Sequence, residues 1–265
     1  AAYCLPGQYS NWQTQGVSPL FTNSNAQVRR MIYDSTGVRA LPKYMAILER
    51  MVTPNGMRYQ GVKSSDPNLM KKRRVKEYYE EVTLLLFKHR GMPRANFRAS
   101  TAEVYGQLGA YGNGPVWVGR RTPNALSRQP GVLYKAVRFY DVFWLYNNQG
   151  EIDTVFRRFY YNVRQFRQEW PDLPLPPSMA RIANQPGKDN EMFEFVEIIF
   201  PRSEDTYDPD ALDARRHPFA CITIAVGDKY QIGGASYERG FRHNPLLTPR
   251  TRSEEHTSEL QSLAC

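Results

Sequence analysis

The stretch from Leu133 to Trp170, LYKAVRFYDVFWLYNNQGEIDTVFRRFYYNVRQFRQEW, constrains the fold more than any other part of the chain. Val142 to Tyr146 is an unbroken apolar run, Asn147-Asn148-Gln149-Gly150 carries turn chemistry, and Ile152 to Tyr161 is a second strand-forming run. Two such runs around a short loop containing Gly predict a β-hairpin. At Asn162 the pattern becomes helical, and Pro171 stops it because proline has no amide hydrogen to donate. A hairpin this aromatic is built to pack rather than to catalyse. Arg157 and Arg158 break its period of two, so one of them faces the packed side or an interface. An ion pair between subunits and a snorkelling surface pair both fit that position.

Helical patterns precede the hairpin. Ser24 or Asn25 can cap a helix from Ala26, with Val28, Met31, Ile32 and Ser35 in helical register, and Pro42 predicts a kink or break in it. Asp66-Pro67 predicts the start of a helix running to Arg90, with Gly91 just past its end. Val75, Tyr78, Tyr79, Val82, Leu85 and Leu86 form its apolar stripe; Leu84 and Phe87 widen the stripe and predict burial on more than one side. A third helix is expected over 96–109. Gly106, Gly109, Gly112 and Gly114 then suggest a loosened link into strands that begin at Val116. Further strands are expected near 132–139, 142–147, 151–161, 191–200, 219–226 and 229–233, with Gly227-Asp228 as a turn. Helices first and strands after predict an α+β chain with a mostly antiparallel β part. The boundaries read from the sequence are an arm over 1–22, a helical part over 23–114, a β-rich part over 115–251 and a separate tail over 252–265.

That tail is foreign to the rest. Arg252 to Ser262, RSEEHTSELQS, resembles the conceptual translation of a sequencing-adapter DNA, so the natural sequence is expected to end near Thr251. The whole chain carries a formal charge of +9, and residues 1–251 alone hold 34 Lys and Arg against 23 Asp and Glu. A balance this basic favours an anionic partner. No apolar run approaches the length of a membrane span, and no membrane partner is expected.

Equipment for catalysis or cofactor binding is hard to assemble from these residues. The glycines after 105 match neither G-x-G-x-x-G nor G-x-x-x-x-G-K-[ST]. His89, His217, His243 and His256 stand singly, and Cys4, Cys221 and Cys265 lie far apart, outside zinc or redox spacing. Cys221 sits in an apolar run and reads as a buried small hydrophobe. Asp205, Asp208, Asp210 and Asp213 lack the Gly and Glu that a calcium loop needs. Glu80 and Glu81 point about 100° apart on a helix and do not converge. No catalytic residue, metal site or cofactor is therefore expected. The sharpest charge feature is Lys71-Lys72-Arg73-Arg74, at a helix start where the macrodipole disfavours cations and Glu77, Glu80 and Glu81 offset them. Lys71, Lys72, Arg73, Arg74, Arg157 and Arg158 are the candidate contacts for an anionic partner. A solvated face is the competing reading of the run.

Seven segments taken in order resemble the portal proteins, or head-to-tail connectors, of short-tailed bacteriophages. They are Asp34–Val38, Val52–Pro54, Glu103–Tyr105 through Gly112–Gly114, Val137–Tyr146, Asn148–Arg158, Phe200–Arg202 and Gly240–Arg250. The resemblance implies a structural subunit, not an enzyme. It implies a ring of about a dozen copies at one capsid vertex, through which double-stranded DNA is packaged and ejected. It implies a terminase, the major capsid or scaffolding protein and a tail adaptor as partners, and a place in the virion after assembly in the host cytoplasm. It also implies that this stretch is the wing region, truncated before the stem and clip, with aromatic surface meant for neighbouring subunits or for the missing chain. The alternative is a basic nucleic-acid-binding module unrelated to phages.

Overall fold

The computed structural model describes residues 35–121, 131–183, 185, 188, 190–203, 207–208, 213–234 and 239–251. Helices come first and antiparallel strands follow, the α+β order expected. The chain forms two compact units. The first comprises residues 1–139 with 247–265, and the second residues 140–246. The first two strands thus fall with the helices. The helix expected from Ala26 and the tail from Arg252 lie outside the described residues.

In the first unit, α1 (Thr36–Val52) continues unbroken past Pro42. Proline removes one hydrogen bond, yet packing holds the helix on both sides of it. Leu41 is buried, and Leu41, Tyr44 and Met45 lie against α3 (Phe97–Tyr111) at its glycines. A Cβ at Gly109 would stand 2.7 Å from Tyr44 Cδ1 and 2.8 Å from Leu41 Cδ1; one at Gly106 would stand 3.3 Å from Met45 Sδ. The two glycines expected to loosen a link are instead one turn of a continuous helix, small enough for α1 to approach. Only Gly112, at φ 77°, ends that helix in the left-handed region.

The basic segment also differs from expectation. Asp66 does not cap the long helix; its Oδ1 accepts from Asn68 N at 2.8 Å and opens a short 3₁₀ turn over Leu69–Lys71. The α-helix α2 begins at Arg73, after Lys72 in extended conformation, and its last residue is Gly91. Thr83 is the one buried residue of α2, where burial on several sides was expected. The inward stripe is narrow: Val75, Tyr79, Val82, Leu86 and Phe87 are half-buried, while Tyr78, Leu84 and Leu85 are exposed. Periodicity reports apolarity; burial depends on what lies opposite, and here only one side is met.

A three-stranded sheet completes this unit in the order β2-β1-β9, with β1 Val116–Arg121, β2 Gly131–Ala136 and β9 Leu246–Leu247. α3 is fastened to β2 through Ser100 Oγ, which donates to Tyr134 O at 2.8 Å, and by the Phe97–Tyr134 edge contact. Past β9 the chain returns to the end of α3: Gly114 N donates to Pro249 O at 3.1 Å and Thr251 N to Gly112 O at 2.9 Å.

The second unit is one antiparallel sheet, β3-β4-β5-β6-β7, with β8 also paired to β6. Its strands are β3 Val142–Tyr146, β4 Ile152–Tyr161, β5 Phe193–Pro201, β6 Phe219–Ala225, β7 Tyr230–Gln231 and β8 Arg239–Phe241. β3 and β4 are the hairpin expected, with Asn147 Oδ1 accepting from the amides of Gln149 and Glu151. Helix α4 (Val163–Glu169) follows at once, started by a reciprocal capping box between Asn162 and Gln165. α4 and α5 (Pro177–Ile182) cover one sheet face. Phe166, Phe195 and Met179 are fully buried there, ringed by Trp170, Phe159 and Tyr161. Each such side chain contributes about 1.5–3 kcal/mol on burial. On the other face Phe156, Val196, Ile198, Ile222 and Ile224 are half-buried, and Phe143 and Leu145 of the edge strand β3 are exposed.

Gly109→Ala should lower stability by about 1–3 kcal/mol, because the added methyl overlaps α1. Gly91→Ala, with nothing within 4 Å of the new Cβ, should be neutral or slightly stabilising. Thermal melts of the two variants beside the parent chain check the contrast.

Candidate interaction surfaces

The basic run is displayed on the surface of the first unit. Lys71, Lys72, Arg73 and Arg74 are all exposed, spread over the 3₁₀ turn, the residue before α2 and its first turn. Lys71 Nζ donates to Asn68 Oδ1 at 3.2 Å, and Arg73 Nε to Glu77 Oε1 at 2.7 Å. With side chains 91% and 57% exposed, the Arg73–Glu77 pair contributes a few tenths of a kcal/mol and leaves the run cationic. Glu80 and Glu81 are exposed on the same helix.

The hairpin arginines occupy a different setting. Arg157 is buried on the helix-covered face and pairs with Glu197 at 2.8 Å, both side chains about nine-tenths shielded. Its guanidinium also lies over the Phe159 ring, 4.9 Å from the centroid. Register explains the meeting: Arg157 stands opposite Glu197 on β5, and Glu197 opposite Thr223 on β6. Arg158 faces the other way and holds Asp141 at 2.9 Å and Glu194 at 3.8 Å. Neither snorkels, and both find their carboxylates within the chain. Pairing from one subunit to another, the reading the sequence left open, is not needed to satisfy them.

Cys221, buried as expected, donates to Glu197 Oε1 at 3.3 Å. Burial first, and then the adjacent Glu197 carboxylate, push its thiol far above the ordinary cysteine value. It is held as the neutral thiol and is a poor nucleophile. The buried polar line therefore ties three strands together: Arg157 pairs with Glu197, Cys221 donates to the same carboxylate, and Thr223 stands opposite Glu197 in register. Within the first unit a cleft lies beside the end of α1, lined by Thr53, Tyr59, Phe87, Arg90 and Phe97. Arg90 is fixed there by Gln60 at 2.7 Å and lies over Phe97. Among the described residues no group of three His, Cys, Asp or Glu converges as a metal site, and no helix is long and apolar enough to cross a membrane.

The formal charges divide with the fold. Residues 1–139 with 247–265 hold 23 Lys and Arg against 10 Asp and Glu, a net of +13; residues 140–246 hold 12 against 16, a net of −4. The total and the run are plain in the sequence, whereas this split needs the unit boundaries.

An α+β chain with opposed charge in its two units, ordered charge pairs inside its sheet and apolar side chains on its surface has the make-up of an assembly subunit. The model of the family described as bacteriophage head to tail connecting protein matches residues 1–256, and this chain belongs to that family. It is a phage portal, or connector, protein, a structural component of the virion. Membership displaces the alternative of a nucleic-acid-binding module unrelated to phages. No curated protein matches the chain.

Two outcomes follow from the buried line. Arg157→Met should destabilise the chain by about 3–5 kcal/mol by leaving Glu197 charged and alone, whereas the double change Arg157→Met with Glu197→Leu should recover most of the loss; denaturant titrations measure both. Brief treatment with iodoacetamide at neutral pH should leave the Cys221 peptide unmodified in the native chain and alkylate it in denaturant, as peptide mass mapping would show.

Proposed function

We propose that this chain is a subunit of the ring at one vertex of a phage capsid through which double-stranded DNA enters and leaves, and onto which the tail docks. The match to the connector family across residues 1–256 carries the reading. The ring would hold about a dozen copies, related head to tail by rotation. Its partners would be a terminase that drives the DNA, the major capsid or scaffolding protein around it and a tail adaptor below it, with assembly in the host cytoplasm. The excess positive charge of the first unit suits a particle that works on a polyanion. Of the six cationic candidates, Lys71, Lys72, Arg73 and Arg74 are the ones displayed outward for an anionic partner. Arg157 and Arg158 are engaged by Glu197, Asp141 and Glu194, and would act by holding the sheet's shape.

The expected outcome is a closed ring with a central channel. Native mass spectrometry should give one dominant stoichiometry at concentrations where electron micrographs show annular particles. A chain that stays monomeric across the concentration range, or grows only as open filaments, would overturn the proposal.

A further inference from the structure

Two exposed apolar surfaces in this chain belong to units of opposite charge. On the basic unit, Tyr78 and Leu85 lie two turns apart on one flank of α2, 62% and 46% exposed, with the cationic run at the start of the same helix. On the acidic unit, Phe143 and Leu145 project from the same side of the edge strand β3, 56% and 45% exposed, and adjoin the half-buried Phe156 and Ile198. The carboxylates of Glu151 and Asp153 sit at the turn end of that hairpin. An apolar sheet face and an apolar helix flank are each half of a layered core.

We infer that these surfaces are the two sides of one contact between copies: α2 of one subunit lies on the β3 edge and open sheet face of the next, with Lys71–Arg74 toward Glu151 and Asp153. The inference rests on the ring reading above and names the surfaces that would close the ring. Charge complementarity selects the occupant, because a second copy offers a +13 unit to a −4 unit. The spacing agrees as well. Tyr78 and Leu85 lie about 8 and 18 Å along the helix from Arg73, and Phe143 lies about 13 Å along the strand from Asn147, which stands beside Glu151. Apolar side chains and charges can therefore meet at the same time. Because the two patches differ, the contact is heterologous, the kind that propagates round a ring instead of stopping at a pair.

The test uses the full chain. A photoreactive benzoyl-phenylalanine placed at position 143 is irradiated in a mixture of isotopically light and heavy copies. Mixed-isotope cross-links to peptides within residues 73–91 are the expected result. Charge reversal gives a second readout. Lys71→Glu with Lys72→Glu should weaken self-association at least tenfold at low salt, as should Glu151→Lys with Asp153→Lys, and the chain carrying all four should regain it. Rings that form with cross-links mapping elsewhere would overturn this contact and leave the ring reading standing. Cross-links confined to a single copy, including to its own N-terminal segment, would also overturn the contact. Failure of the parent chain to associate at all would overturn both.

Discussion

The second unit is organised by one cross-strand line in which Arg157, Glu197 and Thr223 stand opposite one another on three adjacent strands. A buried ion pair tolerates no slip: moving β4 by one residue would turn Arg157 outward, leave Glu197 charged and alone, and reverse every apolar side chain on the strand. The aromatic layer of Phe159, Phe166, Trp170 and Phe195 packs only in the register that this pair allows. The same alternation sends Phe143, Leu145, Phe156 and Ile198 to the opposite face. Charge pairing on one side of the sheet thus decides which apolar residues the other side presents.

The hairpin was legible because its evidence is local: an aromatic run, a turn of Asn and Gly, a second run, and a capping Asn three residues before Gln165. The partners of Arg157 and Arg158 were not, since Glu197 lies 40 residues from Arg157 and Asp141 17 residues from Arg158, and only the sheet brings them close. Gly106 and Gly109 show a different limit. A glycine that ends a helix and one that admits a neighbouring helix look alike in sequence, and α1 is what separates them. The α2 stripe is apolar, as its periodicity says, but not enclosed, since Tyr78 and Leu85 stay exposed. Of the candidate surface, the cationic run was plain in the sequence. Its acidic counterpart became visible only when the fold divided the charges into two units.

Formal charge has two uses in this molecule. Inside the sheet, Arg157, Arg158 and their carboxylates are fixed in place and contribute shape. Along Lys71–Arg74 the cations are exposed, so they act at longer range and fade with salt. The two uses are kept apart in the fold: the surface charges respond to conditions while the internal ones hold the sheet.

The return of the chain to α3 has a consequence for the order of folding. The first unit is discontinuous: β9 (Leu246–Leu247) forms where the 107 residues of the second unit end, and Pro249 and Thr251 then hydrogen-bond to the segment following α3. Closing an unstructured loop of that length costs about 4 kcal/mol beyond its fixed part. β2 and β9 flank β1, so both ends of the insertion leave from one small sheet. A second unit that has already folded holds those ends near each other and removes most of that entropy. The contiguous β unit is therefore the natural first event in folding, and the helical unit acquires its third strand only after it.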